Sequence, residues 1–208
     1  MYTNHKQVQR TTSAVFCLAI LLILLSFGCS ATPVDKYYIL IGQSNAYYMA
    51  EHSDLSTPTV NAHLINCGYR GQPIAYFRPS YNHDTAYGSC IKQALDAPKI
   101  DGIVFWQGES DTVSLALAKE WEFSATGVIQ SLKSDLGSNI PIVMVIINGF
   151  PSTQWPYWLT VRASQCRFRT KNLALIDSSN YEFQPGNLHL TLAGYQAIGV
   201  DITKLFSN

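Results

Sequence analysis

Apolar residues recur along this chain in two alternating rhythms. Four uninterrupted runs, at residues 37–41, 103–105, 140–147 and 173–176, contain no charged or amide side chain. A run without polar alternation is what a parallel strand buried on both faces requires, so each predicts such a strand. Between the runs, apolar positions return at helical spacing. This predicts helices over 86–95 and 114–136, and from about 191 to 206. In the second, Leu115, Ala118, Trp121 and Ala125 lie on or near one face, and Gly137 is the stop. Strands alternating with helices predict right-handed βαβ units and a three-layer α/β/α sandwich around a mostly parallel sheet. Residues 48–85 are rich in Pro, Asn, His and Ser, and predict loops over the sheet edge with one candidate strand at Ile74–Phe77.

One apolar run does not belong to this scheme. Residues 15–27 follow Lys6 and Arg10, and no acidic residue precedes Asp35. The run is about 13 residues long, short of the ~20 a spanning helix needs and inside the ~7–15 of a secretory core. Residues 1–29 therefore read as a signal peptide, 30–35 as a short tether and 36–208 as one domain. Gly28-Cys29-Ser30 follows the run as a bacterial lipobox would, with Cys29 lipidated and the mature protein held at the membrane. The alternative is ordinary cleavage near Ala31. Both place the mature protein outside the cytoplasm, in the cell envelope or secreted.

Composition narrows the partners. The 208 residues are 47% hydrophobic and 13% charged with a formal net charge of zero, which suits a buried core and argues against disorder. No run of Lys or Arg provides the basic footprint of a nucleic-acid binder. Beyond the leader, Cys67, Cys90 and Cys166 permit at most one disulfide and leave one thiol. No cysteine pair or helical His pair has metal-ligand spacing, so neither metal nor cofactor is expected.

In an open parallel sheet, ligands bind beyond the carboxyl ends of the strands. Gly42-Gln43-Ser44-Asn45-Ala46 follows the first run. A Ser at a sharp strand-to-helix turn has an exposed hydroxyl beside helix N-terminal N–H groups, although Ser and Asn also serve as plain caps. Phe105-Trp106-Gln107-Gly108-Glu109-Ser110-Asp111 concentrates an amide and two carboxylates at another strand end. Gln107 can donate to an oxyanion, and Glu109 or Asp111 can orient a histidine. The bland reading is helix capping by Ser110 or Asp111. His189 stands in Pro185-Gly186-Asn187-Leu188-His189-Leu190-Thr191, ahead of the last helix and within reach of the sheet top.

Taken in order, these three segments resemble the SGNH hydrolases. More narrowly they are similar to the sialate O-acetylesterase-like group and carbohydrate esterase family six. Val161-Arg162-Ala163-Ser164-Gln165 resembles that group's Arg-x-x-Gln segment. The resemblance implies a flavodoxin-like sheet and a serine esterase that removes acetyl or other short acyl groups from an acetylated carbohydrate. Ser44 would be the nucleophile and His189 its base. The oxyanion would be held by the Ser44 backbone N–H, the Gln107 side chain and a donor near the start of the 86–95 helix, Gly88 or Asn82. Asn45, Trp155 and Tyr157 are candidates for substrate contact. Arg162 and Gln165 are expected to support the fold.

The chain departs from the pattern at one place. SGNH enzymes carry an Asp three residues before the His, and here that residue is Gly186. In the resembled carbohydrate-esterase family the Glu of Gln-Gly-Glu can serve as the acid, which implies a Ser44–His189–Glu109 triad. Two other readings stand beside it: a non-catalytic carbohydrate-binding protein, for which Gly186 argues, and a lipase-like or thioester-cleaving enzyme on the same fold.

Overall fold

A computed structural model describes residues 32–80, 82–149 and 153–207. The signal-peptide reading and the lipidation site at Cys29 lie outside the described residues. Five strands form one all-parallel sheet: β1 (Val34–Gly42), β2 (Val60–Gly68), β3 (Gly102–Trp106), β4 (Ile142–Ile146) and β5 (Leu173–Asp177). Their spatial order is β2-β1-β3-β4-β5, the flavodoxin-like order. The central β3 and β4 are buried at every position, which is why they read as uninterrupted apolar runs.

Five helices cover the sheet: α1 (Ser44–His52), α2 (Ala86–Asp96), α3 (Leu115–Leu136), α4 (Trp158–Arg167) and α5 (Leu192–Ser207). Right-handed crossovers send α1 to one face, because β1 leads leftward to β2, and α2, α3 and α4 to the other. The packing agrees: α1 meets α5, while α3 touches both α2 and α4. Three helices start on side-chain caps, the last of them where Thr191 accepts from Gly194 N–H. Thr85 accepts from Gly88 N–H, and Ser114 accepts from Leu117 N–H.

Residues 48–85 differ from the expectation. Residues 60–68 form a nine-residue strand in register with β1, Val34 opposite Val60 through Gly42 opposite Gly68. As an edge strand it is only half-buried, so Asn61, His63 and Asn66 alternate with apolar residues and no continuous run marks it. Ile74–Phe77 is a 3₁₀ turn rather than a strand. Its Ile74 and Phe77 are buried while Tyr76 is exposed. The end of β2 is held by a Cys67–Cys90 disulfide to α2, and Cys166 is a free, exposed thiol.

Between β1 and β3 the crossovers diverge to opposite faces, which opens a crevice at their carboxyl ends. Gly42 closes the bottom of this crevice. Its φ is +150°, and a Cβ there would stand 1.8 Å from the Trp106 carbonyl oxygen. The approach lets Gln43 N–H donate to that oxygen at 3.2 Å and Tyr69 N–H donate to Gly42 O at 2.9 Å, so three strand ends are tied at one residue. Gly42→Ala should therefore lose on the order of 4 kcal/mol of stability in urea denaturation, among the largest effects of a one-methyl change. A loss under about 1 kcal/mol would show that the strand ends tolerate separation.

Candidate active site

Ser44 is the first residue of α1 and stands directly above the Gly42 contact. Its Oγ lies 2.8 Å from His189 Nε2, a hydrogen bond across 145 residues of chain. The turn holding Ser44 is braced by Gln43, whose Oε1 accepts from Ser110 N–H at 2.9 Å. His189 sits on a loop closed by its own backbone: Gln184 N–H donates to His189 O at 2.9 Å, and Thr191 N–H to Glu182 O at 2.9 Å. The Tyr48 ring meets the imidazole edge-on, centroids 5.1 Å apart. Half-burial holds the His189 pKa below the ordinary 6.5, and no carboxylate opposes that shift.

The expected direct contact between Glu109 and His189 is not made. Glu109 Oε1 accepts from Asn45 Nδ2 at 2.7 Å, and the same amide group donates to Leu188 O at 3.0 Å. Asn45 Oδ1 in turn accepts from Tyr195 OH at 2.6 Å. The carboxylate thus reaches the histidine loop through Asn45, one residue short of His189. Burial pushes the Glu109 carboxyl up, against the Asn45 hydrogen bond and the nearby Trp106 indole N–H, which pull it down. That indole lies near the carboxyl without closing a hydrogen bond of normal geometry. Trp106 Nε1 and Glu109 Oε2 are both buried and unpartnered among the described residues. Asn45 is 1% exposed and fully engaged, so it is a brace and not the substrate contact expected of it.

Gln107 is likewise committed elsewhere. Its Nε2 donates to Gln72 O and to Asp111 Oδ2, each at 3.1 Å, and its Oε1 accepts from Trp121 Nε1 at 2.9 Å. All these groups are satisfied by the protein, so Gln107 does not supply the expected oxyanion donor. Both oxygens of Asp111 accept from Ile74 N–H, at 3.1 and 3.0 Å. Gln107 and Asp111 therefore clamp the loop that follows β2. Gln165 completes the network, accepting from Ile147 N–H at 2.9 Å and donating to Gln107 O at 3.0 Å. Arg162 pairs with Asp177, in keeping with a supporting role.

Gly88 also leaves the oxyanion set. Its N–H is bound to the Thr85 cap at 3.1 Å, and its Cα packs against the Asn82 carbonyl. The loop clamped by Gln107 carries Gly71. Gly71 lines the Ser44 cavity, and the N–H groups of Gly71 and Ser44 donate to no protein acceptor among the described residues. Gly71 carries no mark in the sequence, because residues 60–68 show no continuous apolar run. Once that strand is recognised, the rule that ligands sit beyond strand ends leads straight to it.

The cavity over Ser44 has a volume of about 530 Å³. Trp155, Val113 and Leu117 form an apolar wall, and Arg70 is its one permanent cation. Arg70 Nη1 donates to Tyr48 OH at 3.3 Å, and its guanidinium lies 5.3 Å from the Tyr47 ring centroid. Trp155, a candidate for substrate contact, lines the cavity. Tyr157 does not line the cavity and packs against the core.

Residues 46–208 match the carbohydrate esterase, sialic acid-specific acetylesterase family. A probable carbohydrate esterase of Arabidopsis thaliana is 23% identical over 171 residues, which cover 80% of this chain and 63% of that protein. The chain therefore spans less than two thirds of that relative's length. A crystal structure of an Arabidopsis thaliana protein aligns with a TM-score of 0.62 at 22% identity, over 70% of this chain and 60% of the other. A carbohydrate acetylesterase from Xanthomonas citri aligns with a TM-score of 0.60 at 13% identity, over 79% and 54%. At these identities the structures establish the fold.

Asp111 makes the clamp titratable. Burial pushes its carboxyl up to about 7, against the hydrogen bonds from Ile74 and Gln107 that lower it. An acid with a raised folded pKa favours the folded state most below its unfolded pKa of 3.8, and that contribution fades as pH rises through about 7. Relative to Asp111→Asn, the wild type should lose up to ~1.4 kcal/mol of unfolding free energy per pH unit across this window. Urea denaturation of both proteins at pH 5 and pH 8 measures the difference. Parallel behaviour would place Asp111 in a more hydrated site than its contacts imply.

Proposed function

Because the chain belongs to the sialic acid-specific acetylesterase family of carbohydrate esterases, we propose that it hydrolyses acetyl esters of carbohydrate through a Ser44 acyl-enzyme. The observation that carries this reading is the 2.8 Å hydrogen bond between Ser44 Oγ and His189 Nε2 at the head of a cavity. Ser44 Oγ attacks the acetyl carbonyl carbon as His189 Nε2 takes its proton. The carbonyl oxygen becomes an oxyanion that accepts hydrogen bonds from the N–H groups of Ser44 and Gly71. As the C–O bond to the sugar breaks, His189 gives that proton to the departing oxygen. Water then attacks the acetyl-enzyme, its proton passing through His189 back to Ser44, and acetate leaves.

Glu109 acts in this scheme as a positioning residue. Through Asn45 it holds the Leu188 carbonyl, and with it the backbone that delivers His189. The base is then one half of a dyad. Arg70 gives the cavity a positive side suited to a sugar that carries a carboxylate. Export, with or without lipidation at Cys29, is part of the same proposal and follows from the leader at residues 1–29.

A non-catalytic carbohydrate-binding protein is the second reading, favoured by Gly186 and by a His189 with no acid partner. Hydrolysis of 4-nitrophenyl acetate by the mature chain, beside Ser44→Ala, separates the two. Turnover lost in the variant supports the esterase, and equal background rates support the binding protein. A preference for acetyl over octanoyl esters separates the esterase from a lipase-like enzyme.

The dyad has a pH signature. His189 must be neutral to act as base, so activity rises with pH through its folded pKa. Burial without a carboxylate puts that acid limb below 6.5. Gly186 has φ +68°, a conformation that Asp tolerates, and open space where a Cβ would stand. Gly186→Asp should move the acid limb of kcat to higher pH and raise kcat by ~10-fold or more. An unmoved limb would mean that position 186 does not face the imidazole.

A further inference from the structure

A second cavity, of about 420 Å³, lies beside the Ser44 cavity and shares Tyr48 and His189 as walls. Resting on the reading of Ser44 and His189 as an acyl-transfer pair, we infer that this cavity binds the sugar unit next to the acetylated one, so that the substrate is an oligosaccharide or glycan chain. His189 Nε2 must reach the departing sugar oxygen, so the alcohol half of the ester lies on the histidine side of Ser44. Whatever is attached to that sugar continues past His189, which is where the second cavity opens.

The walls fit a sugar and little else. Tyr48 and His52 lie parallel, interplanar angle 6° and centroids 6.0 Å apart, and the exposed His52 forms one side. Leu192, 57% exposed, adds an apolar surface. Gln184 and Asn187, joined by a 3.1 Å hydrogen bond, add amide donors and acceptors. Flat apolar surface beside amides matches a pyranose, which presents C–H groups on its faces and hydroxyls at its rim. Among the described residues no Asp, Glu, Lys or Arg lines the cavity, which suits a neutral ligand, in contrast to the Arg70 side of the Ser44 cavity. A bare ion would find no opposite charge among these residues.

The test is binding to the Ser44→Ala protein by calorimetry, with two matched pairs of sugars: xylotetraose against xylose, and sialyllactose against sialic acid. At least one longer sugar should bind about tenfold more tightly than its monosaccharide. Adding His52→Ala or Leu192→Ala should each shrink that margin by about threefold or more. Each of the two substitutions, made in the wild type, should leave 4-nitrophenyl acetate hydrolysis unchanged. No margin in either pair, or a margin that survives both substitutions, overturns the second subsite. Loss of Ser44-dependent hydrolysis in the wild type would instead overturn the esterase reading, and the binding comparison would still decide the subsite.

Discussion

The geometry of the site depends on one close approach, the Gly42 backbone against the Trp106 carbonyl. Neighbouring parallel strands ordinarily carry side chains to their last residue. Here β1 ends without one, so the chain turns at the sheet edge and not beyond it, and Gln43 N–H takes up the Trp106 oxygen. The turn puts Ser44 at the first position of α1, where the helix leaves its leading N–H groups unpaired. The Ser44 hydroxyl and one of the two proposed oxyanion donors thus come from one local event. The opposite divergence of the crossovers after β1 and β3 then supplies the space above it.

What holds the rest of the crevice is a buried polar network. Gln107, Asp111, Gln165 and Trp121 bind one another and three stretches of backbone. Polar groups at this depth are tolerated because nearly all are paired, and removing any one strands its partners. The residue types that marked 107–111 as chemical in the sequence are therefore real signals of the site, read at the wrong distance. Gln107 and Asp111 build the loop that carries Gly71, while Glu109 and Ser110 of the same segment line the space above Ser44. The same displacement applies to Asn45 and Glu109, which brace the histidine loop.

This divides what the sequence makes legible from what it hides. Burial of β3, β4 and the carboxyl half of β1 leaves an unmistakable mark, and the half-buried edge strand β5 is apolar over 173–176 as well, so these four are legible as apolar runs and the fold class follows. The other edge strand, β2, leaves none, because its half-buried positions admit Asn61, His63 and Asn66 among the apolar residues. With β2 unmarked, the loop after it is unmarked too, and the donors expected beside the Ser44 N–H fall on Gln107 and on Gly88 or Asn82. Ser44 and His189 were legible because each occupies a strand or loop end where the architecture itself directs attention. The direction of a side chain within a cluster is different. Gln107 pointing at Gln72 and Asp111, and not at Ser44, follows from contacts between segments far apart in the chain, which spacing along one segment does not encode.

The absent acid is best understood through what an acid does for a catalytic histidine. It orients the ring and stabilises the imidazolium formed at the transition state. Orientation is supplied here by other means: Tyr48 against the ring, the 184–191 loop closed on itself, and Glu109 acting through Asn45 on the residue before. Stabilisation is not, since burial alone acts on His189 and disfavours its charged form. A base of lowered pKa is neutral over a wider range but removes a proton less readily. Such a dyad suits an ester whose leaving group departs easily or whose binding supplies the missing energy. An extended sugar chain held along both cavities offers the second of these. Contacts remote from the reacting bond can then contribute at the transition state what the carboxylate would have contributed at the histidine.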